Sequence, residues 1–293
     1  MNITATRFAT KARTWLLIAG LTGLLIAIGL LLGGGFLYIF VGLAVLMNVA
    51  GYWFSDRLAL KASRAQPVEP GTMPELEGMV QDLAQCAEVP TPRLYLIPSE
   101  QPNAFATGRN PKHAAVAVTQ GLLQHLPPDQ VKGVLAHEFA HIKNRDILVS
   151  SIAAMVAGAI AAIANVLQFS LLFGGDDDDS PLGLIGTLAT IIIAPLAATL
   201  IQLAVSRQRE YLADATGAQL LGRGEPLANA LETLERGAEA IPMNVNPATA
   251  SLYMVNPLPR GGVATLFMTH PPLAERIRRL RELDGPSAAQ VVA

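Results

Sequence analysis

His137-Glu138-Phe139-Ala140-His141 sets two imidazoles four residues apart, with a carboxylate directly after the first. At 3.6 residues per turn, positions 137 and 141 share one face of a helix. Two neutral imidazole nitrogens on that face can bind one Zn²⁺, with Glu138 beside it to take a proton from bound water. The spacing therefore predicts a helix, a cofactor and a reaction: metal-assisted hydrolysis of an amide bond. Pro127-Pro128-Asp129 supplies the helix start. Val131, Leu135 and Ile142 define its apolar stripe, and Glu138 projects within about 60° of all three. A carboxylate on the buried side needs a partner or a function, because burying an unpaired charge is expensive. Desolvation there favours its protonated form, which suits a proton shuttle.

Two histidines alone hold zinc poorly. The extended pattern with a Gly and a later His is absent, because Asn144 and Ile147 occupy those places. Arg209-Glu210-Tyr211-Leu212-Ala213-Asp214 offers another pair four apart and so on one helix face. Glu210 can be the third ligand and Asp214 an acceptor for an imidazole N–H, which fixes a ligand's tautomer. On its own, the pair reads equally well as a solvated acidic face near Arg207 and Arg209.

The rest of the chain is unusually apolar. Of 293 residues, 51% are hydrophobic and 15% charged, against roughly 25% charged in soluble domains. Residues 15–32 and 36–54 are uncharged runs separated by a glycine triplet, long enough to cross a roughly 30 Å hydrocarbon layer. The first is too long for a cleaved signal peptide and lacks a small-x-small site. Residues 147–173 and 182–205 form a second pair, split by Asp176-Asp177-Asp178-Asp179. Buried core helices are the alternative for this pair. The four adjacent acids lack the alternating spacing of an EF-hand loop and read as a solvated outer connection. All 21 Lys and Arg residues fall in the N-terminal tail, in 57–146 and in 207–281. The positive-inside rule then puts both termini and the polar segments in the cytoplasm. A net charge of −2 gives no reason to expect nucleic acid as partner. Cys86, the only cysteine, excludes an intrachain disulfide and reads as a packed helix residue.

The expected organisation is a tail with two spans (1–56), a first cytoplasmic part (57–146), two spans with an acidic extracytoplasmic loop (147–205), and a second cytoplasmic part (206–293). In the first part, Arg57–Gly71 reads as a linker and Thr72-x-x-Glu75 as a capping box. A helix carrying Leu76, Met79, Val80 and Leu83 follows, up to Pro90 and Pro92. Strands are expected at Leu94–Ile97, Ala104–Thr107 and Ala114–Thr119.

Taken together, the four apolar runs, His137-Glu138-x-x-His141 between the second and third, and Glu210-x-x-x-Asp214 after the fourth resemble the HtpX-like membrane zinc metalloproteases. These are bacterial relatives of the CaaX prenyl proteases. Pro102-Asn103-Ala104-Phe105-Ala106-Thr107-Gly108 resembles their active-site strand, and Thr269-His270-Pro271-Pro272 with Arg276 their C-terminal motif. The resemblance implies a mainly α fold with a small β-sheet: four transmembrane helices plus a cytoplasmic gluzincin-type zinc protease domain. It implies one Zn²⁺ per chain on His137, His141 and Glu210, with Glu138 as general base and acid and Asp214 orienting a histidine. It further implies that Asn103, Ala104 and Phe105 pair with extended substrate, and that His270 donates to the developing oxyanion. Arg276 joins Arg278, Arg279 and Arg281 on a basic helix that reads as solvated. The implied setting is the bacterial cytoplasmic membrane, with membrane polypeptides as substrates in stress-linked quality control, and with room for a homo-oligomer or quality-control partners.

Two competing readings remain. A membrane scaffold or chaperone with structural zinc would close all four metal positions, and only three good candidate ligands are present. A site-2-type intramembrane protease would use Leu283-Asp284-Gly285, which instead follows the charged helix Arg276–Glu282.

Overall fold

A computed structural model describes residues 35–152, 207–241, 250–257 and 271–284, with isolated positions 19, 20, 22, 23, 26, 30, 243 and 245. The two spans expected within 147–205, beyond Ile152, the acidic loop between them and His270 lie outside the described residues. So does most of the first apolar run. Among the described residues no helix is long and apolar enough to cross a membrane.

Helix α1 (Phe36–Ala62) leads into the short strand β1 (Gln66–Pro67) and helix α2 (Pro74–Ala87). Strands β2 (Arg93–Ile97), β3 (Ala104–Thr107) and β4 (Ala115–Thr119) follow, then α3 (Gln120–His125) and α4 (Pro128–Asn144). Beyond residue 206 come α5 (Arg207–Leu221), α6 (Glu225–Ala240) and α7 (Leu273–Leu283). The strands form one sheet in the order β1-β2-β4-β3. β2 and β4 run parallel (Leu94↔Val116), while β3 and β4 run antiparallel (Phe105↔Ala117), leaving β3 at an edge.

The sheet is covered on both faces, which is why its strands read as continuous apolar runs rather than alternating ones. Ala104, Ala106, Val116 and Val118 join the helical core, whereas Phe105, Ala115 and Ala117 pack with Ala59, Leu60 and Tyr253. Helix α4 sits at the centre, against α2, α5, α6 and β3. Two glycines make that position possible. A Cβ on Gly133 would stand 2.8 Å from backbone of Pro226 and Leu227 in α6, and one on Gly217 of α5 would stand 3.1 Å from the His137 amide nitrogen. Close approach at Gly217 brings Glu210 and Asp214, two turns and one turn earlier on α5, level with the histidines.

Several local expectations are corrected. The charged stretch after residue 56 is not all linker: α1 continues through Asp56, Arg57 and Lys61 to Ala62. Charge does not break a helix, and Ala59 and Leu60 are buried against the sheet. The stop comes where Arg64 turns to φ 54°. Strand β1 contains Pro67, tolerated because the strand lies at an edge. The capping carboxylate of α2 is Glu77 rather than Glu75, accepting the Gly71 and Met73 amides at 3.0 Å. Cys86 is exposed rather than packed.

Candidate metal centre

Helix α4 positions both imidazoles and Glu138 as the spacing requires, with His137 and Glu138 buried. His137 and His141 bring their Nε2 atoms to 3.1 Å of one another. Glu210 on α5 faces both, with carboxylate oxygens 3.7 Å from His137 Nε2 and 3.8 Å from His141 Nε2. His137, His141 and Glu210 thus form a group able to hold a metal ion. Ligand bonds of roughly 2.0–2.1 Å at tetrahedral angles set donor atoms about 3.3 Å apart. The three observed separations bracket that value.

Each imidazole has its own carboxylate behind it. His137 Nδ1 lies 2.9 Å from Asp214 Oδ1. Arg276 Nη2 is 3.4 Å from the same nitrogen; both groups are donors there, so the guanidinium serves Asp214 instead. It does so in a paired bond, Nε to Oδ2 at 2.8 Å and Nη2 to Oδ1 at 2.7 Å. His141 Nδ1 faces Asp146 at 3.1 and 3.2 Å. With each Nδ1–H committed to a carboxylate, both Nε2 lone pairs turn toward Glu210, the arrangement a metal site requires.

The electrostatics fit a cation. The carboxylates of Glu210, Asp214 and Asp146 face the imidazoles, Glu138 lies beside them, and the Arg276 guanidinium contacts the group. Burial lowers the His137 pKa, and its Asp214 bond only partly offsets that. Burial also opposes charge on His141, but Asp146, Glu210 and Glu138 outweigh it and push the imidazole to about 10. This negative field holds a positive charge at the imidazole, and a divalent cation satisfies it in place of a proton. Burial raises Glu138 to about 7, with the Glu210 charge adding to the rise and the Ala106 amide, through a hydrogen bond, working against it. At that value the carboxyl can both accept and release a proton near neutrality.

Two contributors escape the sequence reading. Arg276 is fully buried, whereas the side chains of Arg278, Arg279 and Arg281 are 56%, 50% and 52% exposed. It shares the apolar stripe of α7 with Leu273, Ile277 and Leu280, a signal of the kind that exposes Glu138. Asp146 had no such signal. Arg145, at φ 61°, ends α4 in a left-handed turn that brings the next residue back onto His141.

Asn103, just before β3, and Ala104 and Phe105, at its start, are buried, and residues 250–257 already lie along this edge. The Met254 amide donates to the Ala104 carbonyl at 3.1 Å. Asn103 Nδ2 donates to the Val255 carbonyl at 2.7 Å, and the Val255 amide returns to Asn103 Oδ1 at 3.3 Å. Tyr253 stacks edge-on to Phe105, ring centres 5.1 Å apart. The cavity shared by His137, Glu138, His141, Glu210 and Ser251–Met254 has a volume of about 20 Å³, room for one water.

The profile of peptidase family M48 matches residues 70–284. The chain belongs to peptidase family M48. It is accordingly a metalloprotease, as its motifs suggest. A Protease HtpX homolog from Syntrophobacter fumaroxidans is 52% identical over 281 residues, spanning 94% of this chain and 99% of that protein. One from Pyrococcus furiosus is 50% identical over 274 residues, spanning 92% and 95%. The crystal structure of S. mikatae Ste24p matches this M48 protease with a TM-score of 0.50 at 21% identity, covering 94% of this chain and 67% of that one. At that identity the likeness concerns the fold alone. In this M48 protease Asp284 is structural: its carboxylate accepts the Gly224 and Glu225 amides at the start of α6.

Proposed function

We propose that the chain is a membrane-anchored zinc metalloendopeptidase that cleaves polypeptides, membrane proteins among them, at the cytoplasmic face. The observation that carries this is the convergence of His137, His141 and Glu210 around one point beside a buried Glu138. When bound, zinc supplies Lewis-acid polarisation of water and of the scissile carbonyl. His137, His141 and Glu210 hold it; Asp214 and Asp146 keep the two imidazoles in the binding tautomer. Glu138 takes a proton from the attacking water and passes it to the leaving amine. His270 is assigned to the oxyanion. Membrane anchorage is supported by the four apolar runs and by α1, which exposes Tyr38, Ile39, Leu46, Val49 and Trp53. The distribution of Lys and Arg supports the cytoplasmic orientation.

The test is hydrolysis of an unfolded membrane polypeptide in detergent, with zinc measured in parallel. The chelated protein should be inactive and zinc should restore it. A Glu210→Ala variant should lose metal together with activity; retention of both would remove Glu210 from the ligand set. A chain that binds zinc yet hydrolyses nothing would instead favour the scaffold reading, and full activity in chelator would exclude zinc from the reaction.

Substrate binding along Asn103–Phe105 requires residues 250–257 to leave the β3 edge, because they use the Ala104 carbonyl that an added strand would need. Tyr253 anchors that segment in the sheet. A Tyr253→Ala variant should therefore raise kcat/KM for a peptide about threefold or more by loosening a competitor. An unchanged or lower value would mean that the segment builds the cleft rather than blocking it.

A further inference from the structure

A cleft of about 330 Å³ opens between α1, the start of β2 and the turn joining β3 to β4. Trp53, Asp56, Arg57, Arg93, Arg109 and Lys112 line it. Four of these are cations and one is an acid. Asp56 is held by Arg93 at 2.6 Å, so three cations remain without a carboxylate partner among the described residues. None of His137, Glu138, His141 and Glu210 lines this cleft.

The cations are held in place. Arg109 lies over the Trp53 ring at 4.8 Å and Arg57 over Phe54 at 5.7 Å, contacts that fix a guanidinium plane while leaving its N–H edge to bind. The turn that carries Arg109 and Lys112 is itself constrained. Gly108 takes φ 140°, and a Cβ there would stand 2.5 Å from the His113 carbonyl oxygen. Asn110 Oδ1 accepts from the Lys112 amide at 3.0 Å and pairs with His113 Nδ1 at 2.9 Å. A rigid turn presenting cations to a cleft suits an anion with several oxygens.

The setting selects among anions. Directly before Asp56 and Arg57, α1 exposes Tyr52, Trp53 and Phe54, and further back Val49, Leu46 and Ile39. Aromatic side chains above a basic cluster and below an apolar stretch mark the level of lipid headgroups. A phosphate in the cleft could thus extend apolar chains along α1, which a free phosphate would leave uncovered.

We propose that this cleft binds the phosphate headgroup of an anionic phospholipid, fixing the depth and tilt of the protease domain against the bilayer. The proposal rests on the membrane reading of α1. Its ligand chemistry, the anionic oxygens of a phosphate group, is shared with free phosphate, and the experiment separates the two.

The full chain, purified in neutral detergent, is titrated with short-chain phosphatidylglycerol, with phosphatidylcholine of the same chain length and with inorganic phosphate, following the unfolding temperature. Phosphatidylglycerol should raise it saturably, while the other two leave it unchanged. Removing two charges in Arg109→Gln/Lys112→Gln should weaken that binding about tenfold or more, without altering peptide cleavage in detergent. Should the double variant fold poorly, salt serves instead: between about 50 and 300 mM the parent's phosphatidylglycerol affinity should fall steeply. Equal responses to phosphatidylcholine, an undiminished response in the variant, or salt-insensitive binding would overturn the site. A response to inorganic phosphate as large as to phosphatidylglycerol would overturn the lipid. Flotation with neutral phosphatidylcholine vesicles tests the membrane reading separately: a chain that floats yet ignores phosphatidylglycerol refutes only the cleft, and one that does not float refutes the anchorage.

Discussion

A Glu138→Gln variant should bind zinc in the parent's stoichiometry and cleave peptide bonds slower by about 10²- to 10⁴-fold, the range a general acid–base contributes. The amide keeps the shape of the carboxyl but cannot accept a proton from water. It stays beside the Ala106 amide and replaces a group that burial has already pushed to about 7, so the fold should tolerate it. Metal content and single-turnover rate are the measurements. A variant that keeps zinc and most of its rate would dismiss Glu138 as the base; one that loses zinc would make it a ligand or a structural support. The pH profile adds a second check. Because Glu138 must be ionised to accept the proton, the parent's kcat/KM should fall on acidification through the carboxyl's titration, and the Gln variant's residual rate should lack that limb.

Arg276→Met should be the most destabilising of the changes outside the ligand set. It removes a fully buried guanidinium and leaves the Asp214 carboxylate, itself buried, without its paired donor. Breaking a buried pair from one side destabilises by about 3–5 kcal/mol. Burial alone would raise the Asp214 carboxyl; the Arg276 charge and hydrogen bonds outweigh it and hold the group down at about 2. A folded-state value below the unfolded one means stabilisation that is present above about pH 4 and is lost as pH falls toward 2. Arg276→Met should therefore both lower stability at neutral pH and move acid unfolding to higher pH. Adding Asp214→Asn should recover part of the loss, because the amide oxygen still accepts from His137 while no charge is buried. Denaturant unfolding of the two single variants and the double variant measures this coupling. A single variant as stable as the parent would show that the pair is solvated in solution.

The metal group and the pair behind it differ in how legible they are. His137, Glu138 and His141 lie within five residues, so helical geometry alone predicts their shared face, and Glu210 with Asp214 repeats that logic. Angular position also foretells that Glu138 is buried. The same argument, applied to Leu273, Ile277 and Leu280, would have found Arg276; grouping it with its charged neighbours hid it. Asp146 is different in kind. Its contact with His141 depends on the left-handed turn at Arg145, and a non-glycine residue at positive φ leaves no mark in a pattern of apolar residues.

The β3 edge shows the same limit at longer range. The motif around Asn103 proposes a strand open to substrate, and the strand is there. Its outward Ala104 carbonyl, however, is used by Met254, and the Asn103 side chain just before it by Val255, about 150 residues later in the chain. Nothing local to either segment specifies that pairing. Arg57–Gly71 differs for a simpler reason: charge with a later Pro and Gly suggests a linker, but none of these breaks the helix before Ala62.

What the sequence determines by itself is therefore whatever repeats with the helix or strand period: the two ligand-bearing faces, the buried carboxylate, the apolar runs and their flanking charges. Tertiary structure decides which faces meet. Gly217 lets α5 approach the His137 backbone closely enough for Glu210 to face both imidazoles and for Asp214 to lie against His137 Nδ1. Periodicity is a property of neighbours along the chain, whereas a metal site is a meeting of segments far apart in it. Only packing sets those distances.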